Sequence, residues 1–195
     1  MDISAIVMAA GLSKRMNKDK LKMKLIDKFI YEYVLDTIKR FSYFKEVIVV
    51  AKDEDILNKA VSLGFKAVKN NISYLGQSES IKLGIINTHS AHGYMFFVAD
   101  QPFIKYETIN KLISLFQKNP HNIIVACCNG VNSNPVIFPV EFKNELLNLK
   151  GDVGGKIIIR NNPEKVIKAH IQSEEEFMDI DTIEDYDRIV KKVID

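Results

Sequence analysis

Long apolar runs are missing from this 195-residue chain. The longest uncharged ones, at residues 5–12, 94–99 and 123–128, fall far short of the ~18 residues that span a bilayer. The start, Met-Asp, puts no basic stretch ahead of an apolar one, so neither a signal peptide nor a membrane span is expected, and a cytoplasmic location follows. A large excess of one charge is missing too: 27 basic side chains against 25 acidic ones leave a formal charge of +2. A nucleic-acid polymer is therefore not expected as a partner, because such binding rests on a strong basic excess. Cysteine is scarce, and Cys127 and Cys128 are adjacent, where a disulfide would be badly strained. They lie apart from any histidine cluster, which removes zinc. They read as two small buried hydrophobes of a reduced protein. Repeats, low-complexity tracts and Pro/Gly-rich linkers are absent as well. At roughly 150 residues per domain, one domain over residues 1–195 is expected.

What is present alternates. Apolar runs of strand length recur at residues 3–9, 46–51, 94–99, 123–128 and 136–138. Between them lie segments with helical spacing. Ile30, Tyr33, Val34, Ile38 and Phe41 form one face, and Tyr106, Ile109, Leu112, Ile113 and Phe116 another. Thr182 with Asp185 three residues on is a capping-box pattern opening a last helix through Tyr186, Ile189, Val190 and Val193. Ser78 can cap a shorter helix containing Ile81 and Ile85. Beyond Gly130 the spacing becomes irregular, and residues 132–134 read as a turn. Alternating strands and helices predict an α/β fold, a three-layer α/β/α sandwich around a mainly parallel, Rossmann-like sheet. In such sheets ligands bind where strands end at their carboxyl edge.

Two strand ends carry chemistry. After residues 3–9 come Ala9, Ala10 and Gly11, small enough for the backbone to turn tightly and approach a flat or anionic ligand. Their N–H groups, the Ser13 hydroxyl, Arg15 and Lys20 suit phosphate oxygens. Residues 13–28 hold seven basic side chains against two acidic ones, and one of only four arginines. Neither the Rossmann G-x-G-x-x-G nor the Walker G-x-x-x-x-G-K-[ST] motif occurs; residues 151–156 miss the latter's spacing by one. The second end is Asp100-Gln101-Pro102. Its carboxylate is placed either to hold Mg²⁺, which takes one or two carboxylates with phosphate and water oxygens, or to cap the following turn.

Ala9-Ala10-Gly11-x-Ser13-x-Arg15-Met16-x-x-x-Lys20-Leu21 resembles the A-A-G-x-S-x-R-M-G-x-x-K-L signature of MobA-like nucleotidyltransferases, and within them the molybdenum cofactor cytidylyltransferases. Asp100-Gln101-Pro102 matches that family's metal motif. Gly76-Gln77-Ser78-Glu79-Ser80 resembles its nucleotide-facing helix start. Asn134-Pro135-Val136-Ile137-Phe138 followed by Gly151-Asp152-Val153-Gly154 resembles the acceptor half, and Asp179-Ile180-Asp181-Thr182 the D-I-D-T motif. Asn17, Asp27, Ser133 and Ile183 depart from the pattern.

The resemblance implies a nucleotide-diphospho-sugar transferase-like fold and transfer of CMP from CTP to the terminal phosphate of molybdenum-bound molybdopterin, with release of pyrophosphate. It implies Arg15 and Lys20 on the triphosphate and Mg²⁺ held by Asp100 and Asp181. Ala9, Ala10, Gly11, Ser13, Gly76, Ser78 and Ser80 would line the nucleotide. Asn134, Pro135 and Asp152 would meet the acceptor, with Asp152 orienting it or a second metal. The acceptor phosphate is already an anion, so no general base is needed, and none of the four histidines is given a role. A molybdenum hydroxylase is a possible recipient of the product. The alternatives are GTP or another phosphorylated acceptor, or a non-catalytic molybdenum cofactor carrier.

Overall fold

The computed structural model describes residues 1–11, 19–89, 91–180 and 182–194, with side chains through residue 191. Its strands are β1 (Ile3–Ala9), β2 (Lys24–Leu25), β3 (Lys28–Phe29), β4 (Glu46–Ala51), β5 (Lys66–Lys69), β6 (Gly93–Val98), β7 (Ile123–Cys128), β8 (Val131–Pro139) and β9 (Val166–His170). Its helices are α1 (Ile30–Lys39), α2 (Glu54–Ser62), α3 (Gln77–Ile86), α4 (Tyr106–Lys118), α5 (Lys143–Leu147), α6 (Lys156–Asn161) and α7 (Ile183–Ile194). Seven strands form one sheet in the order β5-β4-β1-β6-β8-β7-β9, while β2 and β3 form a small antiparallel ribbon. Only β8 runs against its neighbours β6 and β7. The sheet is mainly parallel, as the alternation predicts.

Side-chain alternation along β1 builds both faces. Ile3, Ala5, Val7 and Ala9 pack with Val34 and Ile38 of α1, Ile56 of α2 and Leu112 and Phe116 of α4. Ile6 points the other way, to Ile81 and Ile85 of α3 and Leu146 of α5. Each such fully buried aliphatic removes about 1.5–3 kcal/mol worth of apolar surface from water, so helices on both faces are the means by which so apolar a sheet stays covered. The α3 layer lies closer than side chains normally permit. A Cβ on Gly84 would sit 2.4 Å from the Ile6 methyl, and Ile6 is fully buried with no room to yield.

The edge strands β5 and β9 are missing from the sequence reading. Each has one sheet neighbour, and their lysines (Lys66, Lys69, Lys168) are exposed. Lysine on an edge discourages further pairing and erases the continuous apolar run by which central strands are recognised. The turn placed at residues 132–134 is corrected. The turn is Asn129-Gly130, with φ of 48° and 83°, two successive left-handed residues as in a type I′ hairpin. Residues 132 and 133 pair with Cys127 and Ala126 as part of β8. The register then jumps from Ser133 to Val136, leaving Asn134 and Pro135 out of the ladder. Proline has no N–H to lose to a bulge.

Lys22 ties the short turn Lys20–Lys22 to the start of α2, bonding Asp53 at 3.1 Å and Asp55 at 2.5 Å. Burial pushes the Asp53 carboxyl up, but the hydrogen bonds from Lys22 and from the Asp55 amide outweigh it and carry the group below its ordinary 3.8. A depressed carboxyl contributes stability above its unfolded pKa and loses it as the pH falls through its folded one. Asp53→Asn is therefore expected to flatten the acid limb of stability against pH below about pH 4, measured by urea melts across pH; an unchanged limb would rule this out. Gly84→Ala is expected to cost about 1–3 kcal/mol by overpacking against Ile6. The urea midpoint would fall with the slope unchanged.

Candidate active site

The chain moves from β1 through α1 and α2 to β4 and β5 on one side, then returns over the opposite face through α3 to β6 on the other. The sheet's topological switch point thus lies between β1 and β6, where a crevice opens at the strand carboxyl ends. Ala9, Ala10 and Gly11 leave β1 there, and Asp100 follows β6. Ala9 and Ala10 are buried, whereas a Cβ on Gly11 would meet no atom within 4 Å.

Lys20 and Asp100, 80 residues apart, meet here. Lys20 Nζ donates to Asp100 Oδ2 at 2.5 Å, with the two side chains 11% and 20% exposed. Leu21, buried beside Lys20, anchors its turn in the core, and Asp19 caps that turn by accepting from the Leu21 amide at 3.3 Å. At the far end, Ile180 donates its amide to the Asp100 carbonyl (3.3 Å). The Lys105 amide donates to the buried Glu176 carboxylate (3.1 Å). The loop after β6 is therefore pinned to the segment before α7. Thr182 and Asp185 form the expected reciprocal cap: the Asp185 amide donates to the Thr182 hydroxyl, and the Thr182 amide to the Asp185 carboxylate. Ser13, Arg15 and Asp181 lie outside the described residues. Among the described residues no group of three or more His, Cys, Asp or Glu side chains converges as a metal site. His89, His92, His121 and His170 are all exposed, and Cys127 and Cys128 are buried free thiols.

The start of α3 differs from expectation. Its cap is Gly76, at φ 115°, and not Ser78. Ser78 is fully buried inside the first turn, and Ser80 accepts from the buried Asn70 amide at 3.0 Å. Both hydroxyls thus have partners within the protein, Ser78 in Glu79 and Ser80 in Asn70. The leading amides are also taken: Gln77 donates to Asp152 Oδ1 (3.3 Å) and Ser78 to the Gly151 carbonyl (3.2 Å). A Cβ on Gly76 would lie 2.3 Å from the Gly151 carbonyl carbon. Only glycine accepts both that φ and that backbone contact. Asp152 is thereby fixed as an acceptor for a helix N-terminus, a favourable place for a carboxylate.

Beside this junction lies a cleft of about 490 Å³, within the usual range of ~300–1,000 Å³ for ligand sites. Its floor is apolar, with Met8, Phe96, Val125 and Phe138, and its rim is polar, with Gln77, Asn132, Ser133, Asn134, Asp152, Lys156 and Arg160. Of the expected acceptor residues, Asn134 and Asp152 line it, while Pro135 is buried in the adjoining bulge. Gln101 Nε2 donates to Ser133 Oγ (3.2 Å), joining the β6 loop to the cleft wall. Sequence reasoning missed Gln77, Asn132, Lys156 and Arg160. The i,i+4 spacing of Lys156 and Arg160 was the available signal for two of them.

The match to known proteins agrees with this geometry. The model of the MobA-like NTP transferase domain matches residues 5–166. A probable molybdenum cofactor guanylyltransferase from Natranaerobius thermophilus is 30% identical over 145 residues, 73% of this chain and 68% of that protein. A 2-C-methyl-D-erythritol 4-phosphate cytidylyltransferase from Buchnera aphidicola is 27% identical over 188 residues, 89% of this chain and 78% of its own. Among solved structures, the Mycobacterium sp. strain JC1 homologue of Mycobacterium tuberculosis Rv0371c superposes with a TM-score of 0.84 at 22% identity, covering 98% of this chain and 96% of its own. That likeness shows the nucleotide-diphospho-sugar transferase fold. With Gly11 and the Lys20–Asp100 pair at the switch point of that fold and the family match spanning residues 5–166, the chain belongs to the MobA-like NTP transferases and is a nucleotidyltransferase.

Proposed function

We propose that this nucleotidyltransferase moves CMP from CTP to the terminal phosphate of molybdenum-bound molybdopterin. An acceptor phosphate oxygen bonds to the α-phosphorus, the bond from that phosphorus to the bridging oxygen breaks, and pyrophosphate leaves with its electrons. The attacking group is already an anion, so the chain needs no general base, in keeping with four exposed histidines. What it must supply is alignment and charge neutralisation.

The observation that carries the reading is the Lys20–Asp100 pair beside the open face of Gly11. Lys20 is placed to take phosphate oxygens, and the β1 loop lets a nucleotide approach the backbone. The donor set fits Mg²⁺: Asp100 is a hard carboxylate at a strand end, partly open to water, and Mg²⁺ needs only one or two of these with phosphate and water oxygens. Asp100, with Asp181, would hold the ion, which when bound would lower the negative charge of the phosphates. Asp100 would exchange its partner Lys20 for that ion, leaving the ammonium to the triphosphate. Arg15 and Ser13 would add donors from the first loop. The apolar floor of the cleft favours a flat ring over a polyol as acceptor, and this supports a pterin over a sugar or polyol phosphate. The Ala9-Ala10-Gly11 form of the loop supports cytosine. The guanylyltransferase name of the Natranaerobius relative supports GTP as the second reading.

Pyrophosphate release with molybdenum cofactor and Mg²⁺ is expected with CTP, and GTP is expected to compete weakly. Faster release with GTP would replace the cytidylyl reading, and no release with either would overturn the transfer itself. Asp100→Ala and Lys20→Gln are each expected to lower the rate about 10²–10³-fold, the usual cost of one transition-state group. Near-wild-type rates in both would remove the pair from the mechanism.

A further inference from the structure

The turn that carries Asp100 is fastened to three separate elements. Before it, the Ala99 amide donates to the Met8 carbonyl of β1 (3.2 Å), and the Ile180 amide donates to the Asp100 carbonyl itself (3.3 Å). Both bonds join backbone to backbone. The third is made by side chains alone: Gln101 Nε2 donates to Ser133 Oγ on β8 at 3.2 Å. Gln101 is 4% exposed, so little water reaches it, and removing its partner would strand a buried amide. Ser133 is the last residue of β8 to pair before the bulge. It is also one of the residues that depart from the family signature, so this bond belongs to the chain and not to the signature.

We infer that Gln101 is a positioning residue, one that aims the Asp100 carboxylate once Lys20 has left it. The inference rests on the proposed reaction, in which Lys20 passes to the phosphates and Asp100 to Mg²⁺. In the structure the ammonium holds the carboxylate directly, at 2.5 Å. When that partner goes, the direction of the carboxylate is set by its own backbone, and the next residue along is the one anchored to β8. Mg²⁺ demands near-ideal octahedral geometry at roughly 2.0–2.1 Å, and a misplacement of about 1 Å can cost ~10²-fold in rate. Gln101 touches neither ion nor substrate in this role. It acts through the turn it fixes.

Mn²⁺ binding in the presence of CTP and without acceptor, read from the electron paramagnetic resonance of the free ion, tests this without turnover. Gln101→Met and Ser133→Ala are each expected to raise the Mn²⁺ dissociation constant about 5-fold, the effect of one hydrogen bond. The double variant is expected to bind no more weakly than either single one, because both remove the same bond. Ser133→Thr keeps the hydroxyl and is expected to stay within ~2-fold of wild type. CTP affinity without metal is expected to be unchanged throughout, which a general loss of structure would not allow. Ser133→Ala removes a single oxygen, so it carries the test even where Gln101→Met fails to fold. Wild-type Mn²⁺ affinity in the single variants, additive losses in the double one, or CTP binding weakened in step with Mn²⁺ overturns the inference and leaves the proposed reaction in place. Wild-type protein that takes up no Mn²⁺ with CTP or with GTP overturns the metal reading and the inference with it.

Discussion

A strand with parallel neighbours on both sides, reached by crossovers over opposite faces, cannot bury its own carboxyl end. β1 is that strand here, between β4 and β6. The helices that follow it diverge and leave a crevice that loops alone can fill. Small residues leave β1 because its last side chains are already packed and the chain must turn at once. Asp100 stands opposite because β6 is the other parallel neighbour. Lys20 is then the local answer to a carboxylate held where water reaches it only partly. A partly buried pair of this kind is costly to break from one side. Any group that displaces Lys20 must therefore bring positive charge for Asp100 and negative charge for the ammonium.

The second half of the site obeys a different constraint, the contact of two backbones. The backbone of Gly151 comes so close to Gly76 that no side chain fits on Gly76, while a Cβ on Gly151 would meet no atom. The loop at residues 150–155 becomes in effect an extension of α3. Asp152 satisfies the helix start, Gly154 packs on Gln77 and Gly155 on the Phe138 ring. The cleft wall is thus built from residues far apart in sequence yet rigidly joined. Through Gln101 and Ser133 the same wall is linked to the Asp100 loop.

What could be read from the sequence follows from burial. β1, β4 and β7 are covered on both faces, so their apolar runs are unbroken and their limits legible. β5 and β9 carry edge lysines and leave no such run. The first part of β8 is polar where Asn132, Ser133 and Asn134 line a cleft, and that polarity makes them look like a turn. Asn129-Gly130 did announce the hairpin, and its meaning lay in the flanking strands. Gly11 and Asp100 were legible as residues just past strand ends. The Lys20–Asp100 contact was not, because nothing local relates positions 80 apart. Ser78 misled because a serine before an apolar helix resembles a cap, whereas the true cap is set by Gly151, some 75 residues on.

The contact of Tyr186 with the backbone of Lys24 spans 162 residues, its hydroxyl donating to the Lys24 carbonyl at 2.6 Å. Synthesis runs from one end to the other at roughly 5–20 residues per second. The ribbon that follows the first loop therefore emerges long before the helix that braces it. The Tyr186–Lys24 contact can therefore form only after every strand of the sheet has been made.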